Sequence, residues 1–302
     1  MRRLAPVLLL LPAPALAQAT SPPPEDETVR VDIPAIADTA RPTAASPQWL
    51  AEMSGGYARR DSGPSGAFAI AALNRRLGRM YVRGAVTGYR SIIEQNDTAL
   101  PSTYVVGSLG TGGNFNNWVF DAWGAWGWQH YGAVQTALGP RASTAHDGSP
   151  YVSLGFDAGR IVTLGKGLYL TPTLGATYAH NRLLRPSPNT RRWADFESDE
   201  KAWTGTAALR LDQTFGHSRQ HFIGLAASWH ITNNGLSVLV PPMDSPTGDF
   251  ATLHRADGWG EIGANAGLLL SPRLRLEASV SRSVQALAGN SVTGSGGIRF
   301  AF

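Results

Sequence analysis

The sequence predicts an all-β fold, a transmembrane antiparallel β-barrel of about 12 strands with long extracellular loops and short periplasmic turns. Three features predict this fold class: an alternating final strand, an export signal at the amino end, and the composition. The 302 residues include 34 Gly and 9 Trp and no Cys, so no disulfide framework or thiol chemistry is expected. After the export signal, no run approaches the ~18 consecutive apolar residues that a membrane helix needs.

The amino-terminal 17 residues (1–17) have the pattern of a secretory signal peptide. Arg2 and Arg3 precede an apolar stretch from Leu4 to Leu16, and Ala15-Leu16-Ala17 is a small-residue cleavage site. Removal of the two arginines lowers the formal net charge from +4 to +2. A chain so near neutrality gives no indication of nucleic acid as a partner.

Residues 18–47 differ in kind from the rest. Pro22-Pro23-Pro24 is followed by three further prolines, and prolines at this density forbid a long helix. This segment is predicted to be a flexible periplasmic tail or a peptide that threads the barrel lumen. The barrel itself is predicted to occupy residues 48–302.

Twelve candidate strands follow, and the connections between them alternate in length. The strands are placed near residues 49–59, 66–75, 79–90, 103–111, 116–128, 151–164, 167–181, 202–215, 220–232, 258–270, 273–284 and 291–302. With an even strand count and both ends in the periplasm, every short connection falls on the periplasmic side and every long one outside.

The final strand shows the alternation most clearly, because its apolar or bare face ends on Phe300 and Phe302 while Thr293 and Arg299 lie on the other face. Successive side chains of a strand point to opposite faces, so one face meets lipid and the other the lumen. The same parity predicts these lumen-lining charges: Arg83, Asp121, Asp157, Arg210, Asp212, Glu261, Arg275, Glu277 and Arg299. They form either structural ion pairs in a narrow polar lumen or a selectivity filter.

Aromatic residues are predicted to mark the two membrane interfaces, because amphipathic rings favour the headgroup level. The residues assigned to this girdle lie near predicted strand ends: Trp118, Trp126, Trp128, Trp203, Trp229 and Trp259.

Other polar clusters receive simpler interpretations. Asp195, Glu197, Asp199 and Glu200 stand beside several arginines and are interpreted as a solvated loop. Arginines near the outer rim could hold lipopolysaccharide phosphates, and the candidates are Arg59, Arg60 and Arg192. No nucleophile elbow is present. His217 and His221 lie in a predicted turn without a nearby carboxylate. We therefore expect no catalytic residue, no metal and no cofactor.

The last third of the chain resembles the carboxyl-terminal translocator (β) domain of autotransporters. The resemblance is carried by Gly258-Trp259-Gly260-Glu261-Ile262-Gly263, by the hairpin from Leu164 to Pro172, and by the closing Gly297-Ile298-Arg299-Phe300-Ala301-Phe302. It covers roughly residues 150–302 with fair specificity. The segment 18–47 leaves no room for the folded passenger that family members export.

The resemblance implies a barrel in the Gram-negative outer membrane that is a pore, a translocator or a surface-display scaffold and has no enzymatic activity. Two alternatives stay open: a small-solute channel and an outer-membrane hydrolase. The expected partners are outer-membrane lipids, lipopolysaccharide and the barrel-assembly machinery, which the resemblance says would read Phe300 and Phe302. A monomer is expected.

Overall fold

The computed structural model describes residues 48–302 apart from 62–64, 96–97, 188–193, 217–219, 241–243 and 245–250. The predicted signal peptide, residues 18–47, Arg192 and His217 therefore lie outside the described residues. No helix in the described ranges is long and apolar enough to cross a membrane.

Antiparallel strands account for most of the described residues. They are β1 (Trp49–Arg60), β2 (Gly66–Leu77), β3 (Met80–Gln95), β4 (Thr98–Phe115), β5 (Trp118–Tyr131), β6 (Val134–Thr136), β7 (Gly139–Arg141), β8 (Gly148–Arg160), β9 (Val162–Gly165), β10 (Leu168–Arg185), β11 (Phe196–Phe215), β12 (His221–Val240), β13 (Ala251–Ser271), β14 (Leu274–Val284) and β15 (Ser291–Ala301).

Twelve of these strands close into a barrel, which confirms the predicted fold class. The short strands β6 and β7 form a hairpin outside the ring, and β9 continues β8 after a break at Ile161. Closure is made by β1 and β15, which pair from Leu50↔Ala301 to Arg60↔Ser291. Reciprocal backbone bonds between Trp49 and Phe302, at 3.0 and 2.9 Å, complete the ladder. The pairing of β1 with β15 therefore leaves no free sheet edge in the ring.

Tight turns lie at one end of the barrel, which we call the turn end. Asn116 and Asn117 join β4 to β5 with φ of 53° and 67°. A two-residue hairpin of this kind needs positive φ at both positions, and asparagine tolerates it. Asn114 Oδ1 accepts a bond from the Asn117 N–H at 3.1 Å. The opposite end, which we call the loop end, carries the longer connections.

The outward faces are apolar and exposed, and the inward faces are polar and largely buried. On β13, Ile262 and Leu270 are 58% and 60% exposed, whereas Glu261 and Asn265 on the other face are partly covered. Soluble proteins rarely expose so large an apolar surface. An outward apolar band of this kind is the lipid-facing surface of a membrane barrel.

The predicted long loops are shorter than expected, because the strands continue beyond the barrel at the loop end. Most of the residues predicted as a loop in 91–102 are paired in the hairpin β3–β4, and part of those in 182–201 and 233–257 are paired in the hairpins β10–β11 and β12–β13. The predicted loop 129–150 contains β6 and β7. These segments lack a regular alternation of apolar and polar residues, and pairing of the backbone outside lipid does not require one.

Candidate functional site

The predicted lumen charges all lie on inward-facing strand positions, and all of them except Glu261 lie in the half of the barrel nearer the turn end. Arg83 of β3 is 4% exposed, and its Nη2 lies 3.2 Å from Oδ2 of Asp121 on β5. The side chain reaches across β4 at Gly110, where a Cβ would stand 3.2 Å from that nitrogen. A larger residue at Gly110 would obstruct this ion pair.

Ion pairs also tie the closing strand to both neighbours. Arg299 of β15 is 4% exposed. Its Nη2 lies 3.1 Å from Oε2 of Glu277 on β14, and its Nε lies 3.3 Å from Oε2 of Glu52 on β1. Arg275 lies 4.0 Å from Glu277. One buried guanidinium therefore links three strands at the place where the barrel closes.

The remaining inward charges form smaller groups. Arg210 Nε donates to Asp212 Oδ1 at 2.8 Å, within β11. Asp157 of β8 is the cross-strand partner of Asp121, so two carboxylates adjoin there. Glu261 lies in register with Ser228 and Ser283. The ion pairs fit the structural interpretation of these charges, and the selectivity filter stays a hypothesis.

Five of the six girdle tryptophans point outward, namely Trp118, Trp126, Trp128, Trp203 and Trp229. The prediction for Trp259 is wrong. Its side chain is buried, and its ring stacks on His230 with centroids 5.0 Å apart. The reason is strand parity: Ile262 faces outward, so residue 259 faces inward.

Local sequence patterns did not predict the folded structure at the loop end, which we call the loop cap and define as residues 131–147, 183–187 and 194–200 with Leu100. Its apolar centre consists of Leu100, Val134, Leu183 and Leu184, all fully buried. The hydroxyl of Tyr131 lies 2.6 Å from Ser149 Oγ and accepts a bond from the Leu184 N–H at 3.0 Å. These contacts join the β5–β8 connection to the β10–β11 hairpin.

Asp195 fastens the same two segments. Both guanidinium Nη atoms of Arg141 donate to its carboxylate at 2.7 Å, and the backbone N–H groups of Thr144 and Ser187 donate at 2.9 and 2.6 Å. Burial alone would raise the pKa of Asp195, but these hydrogen bonds outweigh it and lower the pKa to about 2. The interpretation of Asp195 as a solvated loop residue is therefore wrong, because the fold supplies donors from distant segments.

Glu200 is a second buried carboxylate of the loop end, and it too was interpreted wrongly as solvated. It accepts bonds from Arg185 Nη2 at 2.8 Å and from Ser237 Oγ at 2.7 Å. Ser237 Oγ also lies 2.8 Å from His254 Nδ1. A hydrolytic triad needs the imidazole between the serine and the carboxylate. Here Ser237 and Glu200 meet the same ring nitrogen, and Ser237 is fully buried, so these three residues do not form a triad.

Comparisons with known proteins agree with this architecture. The chain is similar to the translocator domain of the autotransporter NalP from Neisseria meningitidis, with a TM-score of 0.65 and 13% identity over 86% of this chain and 89% of that one. It is also similar to the β domain of the Bordetella autotransporter BrkA (TM-score 0.59, 14% identity, 85% and 100% covered). The transport unit of AIDA-I from Escherichia coli gives a TM-score of 0.59 at 13% identity, with 88% and 94% covered.

Identities this low show the fold alone. No curated protein matches the chain significantly. The family assignment rests instead on the autotransporter β-domain model, which matches residues 94–281. That range includes β4 to β13 complete, most of the lumen charges and the whole loop cap. The chain therefore belongs to the autotransporter β-domain family.

Proposed function

We propose that this protein resides in the outer membrane of a Gram-negative bacterium and presents the loop cap at the cell surface, without catalytic activity of its own. The family supports a translocator or surface-display barrel. One observation carries the choice of display: the hairpins β3–β4, β10–β11 and β12–β13 and the loop cap all project from the same end, while the other end has short turns.

The loop cap suits a display role because it is ordered before any partner arrives. A flexible loop loses conformational entropy when a partner fixes it, and a preorganised loop avoids much of that cost. In the loop cap, Tyr131 and Asp195 bond to segments more than fifty residues away in sequence. This arrangement supports a rigid surface for recognition.

Transport of small solutes is the second candidate, and the inward charges of both signs favour it. Their burial speaks against a wide water-filled passage, since Arg83, Arg210 and Arg299 are each less than 8% exposed. Planar-bilayer conductance separates the two candidates. We expect the purified full chain to show no steady ion conductance. A steady open state in the full chain, enlarged by deletion of residues 18–47, would favour the channel.

The partner predictions follow from the same location. Outer-membrane lipids and lipopolysaccharide would cover the apolar band. Phe300 and Phe302 are both exposed on the outward face, with ring centroids 5.9 Å apart. This position supports recognition of both rings by the barrel-assembly machinery. A monomer is proposed.

The direct test of display is a surface-labelling experiment on intact cells. An epitope inserted beside Asp244, between β12 and β13, should be bound by antibody without permeabilisation. The matched control carries the same epitope next to Gly216, in the turn between β11 and β12, and should be labelled only after permeabilisation. Labelling of the control alone on intact cells would overturn the proposed orientation.

A further inference from the structure

Three exposed arginines lie on the outward surface near the seam of the barrel, and we call them the arginine arc: Arg59, Arg90 and Arg282. Arg59 of β1 and Arg282 of β14 are both cross-strand partners of Val292 on β15. Neighbouring strands lie about 4.8 Å apart, so their Cα atoms are about 10 Å apart across β15. Arg90 of β3 lies two strands to the other side, level with Tyr57.

The arc lies near the loop-end edge of the apolar band, and Ile92 and Val284 continue the outward apolar positions two residues beyond Arg90 and Arg282. Tyr57 precedes Arg59 by two residues and Val280 precedes Arg282 by two, and both are more than half exposed on the same outward face. On β3 the residue two before Arg90 is Gly88, and the next outward side chain below it is Val86, which is more than half exposed. The guanidinium groups therefore lie at the loop-end interface of the membrane, at headgroup level.

The charge of the arc is not balanced by the protein. Over β14, β15, β1, β2 and β3 as far as Ile92, the outward strand positions in the described part of the chain include no aspartate or glutamate. The acid nearest in sequence, Asp61, makes no ion pair with Arg59 among the described residues. Three cations beside a single nearby acid leave a net positive surface charge, which attracts anions from the surroundings.

The opposite side of the barrel differs. His180 and Lys201 also face outward, just above Tyr178 and the girdle residue Trp203. Asp199 pairs with both of them, and Lys201 Nζ lies 2.8 Å from its Oδ2. The cations of that side have a protein counter-ion, so they make no comparable demand for an anion.

The surface below the arc has room for hydrocarbon chains. Gly294 of β15 and Gly88 of β3 face outward, and no heavy atom lies within 4 Å of where a Cβ would stand at either residue. A bare surface of this kind does not identify a ligand by itself. Together with the unbalanced arginines, it fits a molecule with anionic groups above and several acyl chains beneath.

We propose that the arginine arc binds the phosphate groups of a phosphorylated, multiply acylated lipid of the outer leaflet, with its acyl chains on the outward surface that includes Gly294 of β15 and Gly88 of β3. Guanidinium groups match phosphate oxygens bidentately, which favours arginine over lysine at such a site. This inference rests on the proposed outer-membrane location, and it specifies one side of the barrel rather than general contact with anionic lipid.

Titration of the purified full chain with diphosphorylated lipid A, in zwitterionic detergent micelles, tests the proposal. We expect the triple variant Arg59→Gln/Arg90→Gln/Arg282→Gln to weaken binding by at least about tenfold, from the loss of three charge-assisted contacts. The matched control Arg182→Gln/Lys201→Gln removes two outward cations on the other side and should change binding by less than about twofold. Lipid A stripped of its phosphates should bind weakly to the wild type and to the control variant. Millimolar inorganic phosphate should not displace diphosphorylated lipid A from the wild type.

Equal binding by the triple variant and the wild type would overturn the site, and so would an equal loss in the control. Heat-modifiable gel mobility establishes that each variant is folded. If the glutamine variant does not fold, Arg59→Lys/Arg90→Lys/Arg282→Lys keeps the charge and loses the planar fork, and an unchanged affinity in that variant would also refute the proposal. A folded barrel that lacks the lipid preference contradicts the site alone, whereas absence of the protein from outer-membrane fractions contradicts the proposed function.

Discussion

Replacement of Asp195 by asparagine should open the loop cap while leaving the barrel intact. The carboxylate side chain is fully buried and pairs with Arg141, whose side chain is 22% exposed. Asparagine has one acceptor oxygen in place of two, and its NH₂ group would face donors. The lowering of the Asp195 pKa from 3.8 to about 2 corresponds to about 2 kcal/mol of local stability.

A loss of about 2 kcal/mol raises the population of the open cap by about thirtyfold, and proteolysis follows that population when opening and closing are fast. We expect trypsin to cleave Asp195→Asn at Arg141 up to about thirtyfold faster than the wild type. The control is Asp199→Asn, which removes an exposed acid paired with Lys201 and should change the rate by less than about twofold.

The same carboxylate gives a pH dependence with a defined sign. A depressed pKa in the folded state stabilises the cap above the unfolded pKa of 3.8, and that stability is lost as pH falls towards about 2. The rate of pepsin cleavage of the wild-type cap, divided by that of Asp195→Asn at the same pH, should therefore rise between about pH 4 and pH 2. The ratio removes pepsin's own pH dependence. Equal cleavage of Asp195→Asn and Asp199→Asn at neutral pH would refute the reasoning.

Two further changes test the barrel. Ala266→Arg places a charge on the outward face of β13 between Ala264 and Leu268. It should lower the free energy of unfolding by about 2–4 kcal/mol if residue 266 lies near the bilayer midplane. Urea unfolding in lipid vesicles measures this free energy, and a change below about 1 kcal/mol would argue against lipid contact there. Deletion of Phe300-Ala301-Phe302 removes two exposed rings and three pairs of the closing ladder, so the heat-modifiable folded form should be lost; normal outer-membrane levels of the truncated chain would contradict the role of these residues.

Strand parity in the carboxyl-terminal half could be predicted because one face of each strand had to be apolar. In β14, Leu276 and Val280 alternate with Glu277 and Ser281, and the structure places them on opposite faces. The same rule, applied to Trp259, would have placed that side chain inward. Its assignment to the girdle used only its distance from the strand end, which does not determine the face.

The loop cap could not be predicted from local patterns. Asp195 is bonded by Arg141 and Thr144, more than fifty residues away, and Leu100 packs against Val134 and Leu184. A single sequence has no periodicity that reports such contacts. The long hairpins were missed for a related reason, since outside the membrane neither strand face has to be apolar.

A disulfide between β1 and β15 tests the central claim that these two strands close the barrel. The natural chain has no cysteine, so an engineered pair is unambiguous. Ala58 and Thr293 are direct partners on the inward face of β1 and β15. Trp49 and Phe302 exchange two backbone hydrogen bonds. Hydrogen-bonded and non-hydrogen-bonded pairs alternate along an antiparallel ladder, so Ala58 and Thr293 form a non-hydrogen-bonded pair, with Cα atoms about 4.5 Å apart.

That spacing lies within the range that a disulfide requires. The account predicts that Ala58→Cys/Thr293→Cys becomes oxidised in the membrane and that Ala58→Cys/Ser281→Cys, which places the second cysteine one strand further on at β14, does not. The readout is gel mobility of denatured protein with and without reductant. Oxidation of the Ser281 pair, or a Thr293 pair that stays reduced, would contradict the closure of the barrel by β1 and β15.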